Sequence, residues 1–180
     1  MKLLAAIAER RTAILGAAGT LLLDQISKDL AVTLLVGEAP VLLGPLALTY
    51  TRNPGAAMGA FGSLPESLRL PVVLGLTGLV LLFLLPLVAI RVRPGRARQF
   101  GVALVIGGAF GNLIDRVRHG AVVDFLTLHP GLSERFPVFN LADVAVVVGA
   151  CLLLLYLRRD DLRPGAAVLG LFAPVCFSGG

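Results

Sequence analysis

Two aspartates, Asp124 and Asp143, stand where the surrounding sequence gives no ordinary reason to tolerate a carboxylate. Asp143 sits near the start of the run 144–157, in which only Gly149 and Tyr156 interrupt aliphatic or small residues. A carboxylate at the edge of a hydrocarbon-embedded helix is costly, by roughly a few kcal/mol or more, and marks a functional site by default. Two carboxylates held in one low-dielectric site cannot both ionise cheaply, so one serves as a base while the other stays protonated. Such a pair can activate a water against a peptide carbonyl. No serine or cysteine with a positioned histidine competes for the role, which disfavours covalent acyl transfer.

The two groups act together only if the chain brings them to one depth, and composition says what must do so. Of 180 residues, 57% are hydrophobic and 15% charged, with a mean hydropathy of +0.89. Soluble domains are closer to half apolar and a quarter charged, so the sequence reads as an integral membrane protein. The length suits one domain of about four spans of roughly 20 residues. The expected spans are about 12–36, 71–90, 99–117 and 139–157, with outer segments at about 37–70 and 118–138 and a cytoplasmic tail at 158–180. Arg91, Arg93, Arg96 and Arg98 mark one loop as cytoplasmic, and an even number of spans places both termini on the same side. The third span then runs outward and the fourth returns, which sets Asp124 and Asp143 together at the outer boundary. The formal charge of +5 needs no nucleic acid to explain it. Two cysteines, Cys151 and Cys176, are too few and too far apart for a disulfide framework or a metal site. No internal repeat and no cleavable signal peptide are expected.

Other polar residues gather at the same end. Asp24 and Lys28 are four apart on one face of the first span and can pair, as a structural tie or as part of the chemistry. Residues 37–70 contain four prolines and five glycines, and the runs 41–43 and 46–51 joined by Gly44-Pro45 predict a small hairpin or sheet at the membrane surface. Asn53, just before Pro54-Gly55, reads first as a turn former. In the third span, Ala103, Gly107 and Gly111 form a row of small residues that admits a neighbouring helix backbone. Gly108, Asn112 and Arg116 form a second row, able to face an enclosed site or to serve as helix–helix hydrogen bonds. Asn140 and Asp143 are three apart in the first turn of the fourth span. His119 and His129, without an HExxH pattern or a nearby cysteine, make a poor zinc site.

The blocks DQISK (24–28), NPGAAMGAF (53–61), GGAFGNLIDRVRHGAVVDF (107–125) and FNLADVAVVVG (139–149), in this order, resemble the lipoprotein signal peptidase family, signal peptidase II, over about residues 12–158. The resemblance implies an all-α bundle of four transmembrane helices with a small periplasmic β-hairpin or sheet, the cradle, and a short periplasmic helical loop. It implies an aspartyl endopeptidase of the bacterial inner membrane, its active site facing the periplasm. Such enzymes remove the signal peptide from prolipoproteins, cutting before a cysteine that carries diacylglycerol. By this resemblance Asp124 and Asp143 are the catalytic pair, and Asp24, Lys28, Asn53, Gly55, Asn112, Arg116 and Asn140 line or support the site. The expected partners are prolipoproteins and membrane lipid, with inhibition by globomycin-type cyclic peptides and with no nucleic acid, metal or cofactor. Met58 departs from the family, where an aromatic is common, and the tail beyond about Arg163 has no family counterpart; its Cys176 reads as incidental. Two other classes weigh against this one. A proton-coupled transporter would be expected to show repeats and broken helices near the midplane, and a scaffold would need no carboxylate pair.

Overall fold

In a computed structural model of the chain, the described residues are 11–55, 61, 63–91, 96–128 and 137–161. Among them, four helices and a three-stranded antiparallel sheet alternate along the sequence. They are α1 (Arg11–Leu35), β1 (Val41–Leu43), β2 (Leu46–Asn53), α2 (Glu66–Arg91), α3 (Arg96–His119), β3 (Val122–Leu128) and α4 (Leu141–Asp161).

Helix α3 lies at the centre, with α1 and α4 packed along it, while α2 packs chiefly against α3. The central position follows from the small residues. A Cβ added at Gly107 would fall 2.6 Å from both the Ala17 carbonyl oxygen and Thr20 Cβ of α1, so the two backbones touch where no side chain intervenes. Ala103 meets Gly16 of α1 in the same row. The second row serves the other neighbour, Gly108 against Ala142 of α4 and Gly101 against Gly149.

Helix α1 buries one narrow stripe, Asp24, Lys28, Ala31 and Leu35, whose spacing of four, three and four keeps it on one face. Its other faces expose Leu22, Leu23, Leu30 and Leu34. The helix ends before Gly37, whose φ of 80° is open to glycine and carries the chain into the sheet. The hairpin turns through Gly44-Pro45, with Gly44 at φ 61° and Leu43 paired to Leu46.

The strand order is β1-β2-β3, so the sheet is the expected hairpin extended by a third strand. That strand, β3, lies within what reads in sequence as a plain connection after the third span. Its first residues, Val122 to Phe125, are all buried, and a strand covered on both faces lacks the polar alternation that announces one. Pairing between β2 and β3 is broken once, between Leu48 and Thr51, where β2 holds one residue more than β3. The sheet rests on the end of α1 through Ala31, Leu35, Val123 and Phe125, with Leu48, Tyr50 and Leu126 packed around them.

Helix α2 begins at Glu66, before Pro71, because the Pro65 carbonyl already accepts the Leu68 and Arg69 N–H groups. By length and composition, one described helix, over Arg98–His119, is long and apolar enough to cross a membrane. The apolar stretches Ser67–Leu79 and Leu141–Tyr156 are shorter, and α1 carries Asp24, Lys28 and Asp29 in its second half. Met58, His129, the helical loop expected between β3 and α4, and the tail after Asp161 lie outside the described residues.

Candidate active site

Helix α4 starts with a reciprocal cap. The Asp143 N–H donates to Asn140 Oδ1 at 3.0 Å, and the Asn140 N–H donates back to Asp143 Oδ2 at 3.2 Å. This is capping-box geometry with an Asn-x-x-Asp sequence, and it places the Asp143 carboxylate at the positive end of the α4 dipole. A further free N–H of that first turn, from Ala142, donates to Asp24 Oδ1 at 3.0 Å, so the same helix end also anchors α1.

Because its oxygen is committed to the cap, the Asn140 amide turns its Nδ2 outward. It donates to Asp124 Oδ1 at 2.6 Å, and also lies 3.1 Å from Asn112 Oδ1 and 3.3 Å from the Val123 carbonyl. Asn140 thereby bridges the two aspartates, one through its side chain and the other through its backbone. Asp124, 2% exposed on β3, receives a second amide at its other oxygen, from Asn53 Nδ2 at 3.0 Å. Asn53 is also the turn former its sequence suggests, since its Oδ1 accepts the Gly55 N–H at 3.0 Å. The turn fixes the oxygen and so aims the nitrogen at Asp124.

Asn112 of α3 serves Asp143 in the same way. Its Nδ2 donates to Asp143 Oδ1 at 2.9 Å, while its Oδ1 accepts Lys28 Nζ at 2.9 Å. Lys28 is itself paired with Asp24 at 2.8 Å and with Asp115 at 3.0 Å. Gly111 lets Asp24 close on α3, for a Cβ there would overlap the carboxylate. Arg116, one helical turn beyond Asn112, donates to the Gly55 carbonyl at 3.0 Å and to the Asn112 carbonyl at 3.1 Å. Its buried Nε has no hydrogen-bond partner among the described residues.

The side-chain oxygens of all three asparagines are thus committed to other donors, the Gly55 N–H, Lys28 and the Asp143 N–H, and all three present N–H groups to the carboxylate pair. The amide shell can stabilise negative charge on the pair but offers no oxygen to a proton held there. Burial pushes the Asp124 carboxyl up from its ordinary 3.8 to about 6; the nearby Asp143 charge adds to the rise, and the Asn53 and Asn140 hydrogen bonds and Lys28 oppose it. A protonated Asp124 beside Asp143 is the division of labour that acid–base catalysis needs.

Every residue expected from sequence at the site lies in this one network: Asp24, Lys28, Asn53, Gly55, Asn112, Arg116, Asp124, Asn140 and Asp143. Sequence reasoning passed over two others. Asp115, 4% exposed, and Gln25, whose Nε2 donates to Asp115 Oδ1 at 2.9 Å, lock α1 to α3. Their signal was present: Asp115 stands three after Asn112 on α3, and Gln25 adjoins Asp24. His119 offers its carbonyl, which accepts Arg52 at 2.8 Å.

Comparison with known proteins agrees with this arrangement. The family model for signal peptidase (SPase) II matches residues 17–159. The lipoprotein signal peptidase of Syntrophotalea carbinolica is 40% identical over 160 residues, 87% of this chain and 97% of the relative. That of Pelotomaculum thermopropionicum is 45% identical over 148 residues, 78% of this chain and 88% of its own. A solved structure described as a bacterial membrane enzyme superposes with a TM-score of 0.71 at 31% identity, covering 84% of this chain and 90% of that one. On the strength of the family match and of identities this high over most of the chain, the protein belongs to the signal peptidase II family.

Proposed function

We propose that this protein is an aspartyl endopeptidase of the bacterial cytoplasmic membrane that removes signal peptides from prolipoproteins, cutting before a diacylglyceryl-modified cysteine. The observation that carries the reading is the Asn140 bridge, which binds Asp124 through its side chain and Asp143 through its backbone. A water between the two carboxylates gives a proton to the ionised one as its oxygen bonds to the scissile carbonyl carbon. The protonated partner donates to the carbonyl oxygen. Collapse of the tetrahedral species breaks the C–N bond: the proton taken from water passes to the leaving nitrogen, and one hydroxyl of the species returns its proton to the carboxylate that had donated, so the pair again holds a single proton. Amide N–H groups from Asn53, Asn112 and Asn140 hold the carboxylates through the cycle.

Membrane embedding of all four helices belongs to the same proposal. Large apolar side chains such as Leu23 of α1, Leu82 of α2 and Leu154 of α4 are more than half exposed, a surface suited to lipid and not to water. The arginines at 91, 93, 96 and 98 support a cytoplasmic α2–α3 connection and, with it, a periplasmic sheet and site.

The test is cleavage of a purified, diacylglyceryl-modified prolipoprotein by this protein in detergent micelles, read as a size shift on a gel. A protein that is folded and yet inert toward that substrate, with globomycin-type peptides failing to bind, would sink the reading.

A further inference from the structure

Asp115 belongs to neither member of the candidate pair, yet it is buried and fully engaged. Its Oδ1 accepts Gln25 Nε2 at 2.9 Å, and its Oδ2 takes both Lys28 Nζ at 3.0 Å and the Val123 N–H at 3.2 Å. Val123 pairs with Arg52 in the ladder, and its N–H points off the sheet toward α3, where only a side chain can satisfy it. The residue after Val123 is Asp124.

We propose that Asp115 is a positioning residue whose single carboxylate sets both aspartates of the pair, Asp124 by seating the preceding strand residue and Asp143 by holding Lys28 against the Asn112 amide. The proposal rests on the reading of Asp124 and Asp143 as the catalytic pair. A plain buried ion pair does not account for Asp115, because Lys28 already has a carboxylate in Asp24 at 2.8 Å. A second buried anion on that ammonium adds desolvation, and Arg116, the other cation that feels the Asp115 charge, donates to the Asn112 and Gly55 carbonyls, so the placement of Asp115 asks for a reason beyond charge balance. The geometry supplies one on each side. Without Asp115 the Val123 N–H loses its acceptor and β3 is free to shift beneath Asp124. Lys28 is then free to leave Asn112 Oδ1, and the Asn112 amide can turn its oxygen toward Asp143, replacing a donor by a repelling acceptor. Displacements of about 1 Å in reacting groups cost on the order of a hundredfold in rate.

The charged groups around Asp124 are Asp143 on α4, Lys28 on α1 and Arg116 on α3; those around Asp115 are Lys28 and Arg116. Removing the Asp115 charge leaves both cations less neutralised, which favours ionised Asp124. The experiment measures kcat, KM and their pH dependence for the full-length enzyme in detergent on the diacylglyceryl-modified substrate, normalised to folded protein. Asp115→Asn is expected to lower kcat roughly tenfold to a hundredfold with KM within about twofold, and to move the alkaline limb to lower pH. Asp115→Glu, which restores the charge on a longer arm, returns the limb to its wild-type position while kcat stays reduced. Gln25→Met removes the donor to Oδ1, together with the longer contacts of the same amide to the Gly111 carbonyl at 3.3 Å and to Asp24 Oδ2 at 3.4 Å, and lowers kcat by about a few fold; it decides the matter should Asp115→Asn not fold. Wild-type kcat and pH profile in Asp115→Asn, or a loss that merely follows the folded fraction with the profile unchanged, overturns the proposal. For Gln25→Met, an unchanged kcat does the same. If Asp124→Asn and Asp143→Asn are inert in this assay while Asp115→Asn is not impaired, the positioning role alone falls. Cleavage by Asp124→Asn instead removes the catalytic pair itself.

Discussion

From Gly101 to Gly108, α3 comes close to its neighbours at Gly101, Ala103, Gly107 and Gly108 and packs only apolar side chains around them, whereas from Gly111 to Arg116 it meets the same two helices through amides, carboxylates and an ammonium. The first region is held by close backbone approach, a device that fixes separation and is indifferent to charge. The second buries Asp24, Lys28, Asp115 and Arg116 and gains little stability from doing so, since the desolvation of buried ions offsets most of their attraction. One helix therefore divides its labour: its small-residue half makes the bundle, and its polar half holds a site at the bundle's end.

The sharpest test of this division is at the pair. Asp124→Asn and Asp143→Asn each remove an ionisable group at nearly constant shape, and each is expected to reduce cleavage by about a thousandfold or more while leaving a folded protein. If the two act as one unit, the double mutant should be scarcely worse than either single one. Substantial residual cleavage by either would move the chemistry away from this end of α3.

Gly107→Leu probes the other region. Its side chain must enter the space of Ala17 and Thr20, so thermal melting in detergent should reveal a loss of about 1–3 kcal/mol from overpacking. Activity per folded molecule should stay within about twofold of wild type, since the site lies beyond the overpacked contact. A variant of normal stability and low specific activity would blur the two regions into one.

The pH dependence separates them again. A carboxyl raised from 3.8 to about 6 is favoured in its neutral form by the fold. Its contribution to stability is thus complete below pH 3.8 and lost as pH rises through about 6, a difference of about 3 kcal/mol at most. Asp124→Asn escapes that loss but surrenders one of the two amide hydrogen bonds. Its melting temperature should exceed wild type above about pH 7 by an amount worth about 1–2 kcal/mol, and the advantage should vanish near pH 4. In wild type, kcat/KM should decline as pH rises through the region of 6, where Asp124 gives up its proton. If substrate covers Asp124 and excludes the water that still reaches it, the limb in kcat should lie at higher pH than the limb in kcat/KM. Coincident limbs would mean that Asp124 is not desolvated by substrate.

The smallest effect is expected on the outer face of α4. Cys151 is exposed and distant in sequence from the polar half, and Cys151→Ala should change stability by less than about 0.5 kcal/mol and leave cleavage unaltered. A larger change in either would give that face a role outside both regions.

Much of this was legible in the sequence, for identifiable reasons. The apolar runs and their arginine borders announce helices whatever their packing, and Gly44-Pro45 announces the hairpin. Asn140 and Asp143 three apart at a helix start predict a shared face, and the capping box realises it. The resemblance in four ordered blocks supplied the rest of the site. What escaped was whatever depends on a third element. β3 is buried on both faces where it matters, so AVVDFL carries no alternation and passes for the tail of a helix connection. Asp115 stands beside Arg116 in sequence, like any charge pair at a helix end. Only the fold shows that its partners are Lys28 of α1 and a backbone N–H of β3.

The broken pairing between Leu48 and Thr51 governs which side of the sheet each later residue of β2 occupies. Before the break, even-numbered residues of β2 share a face with Leu126 and Asp124; after it, odd-numbered ones do, with Thr51 opposite Asp124 and Asn53 opposite Val122. The single extra residue inverts parity, and it is this inversion that brings Asn53 round to donate to Asp124. Had the ladder run unbroken, Arg52 would face the carboxylate and Asn53 would look away. The chain between Leu48 and Thr51 therefore acts through the one residue it holds in excess: deleting Thr49 would straighten the ladder and leave Thr51 opposite Asp124 and Asn53 opposite Val122, whereas a residue inserted after Thr51 would turn Asn53 to the other face and take its amide from the candidate catalytic aspartate.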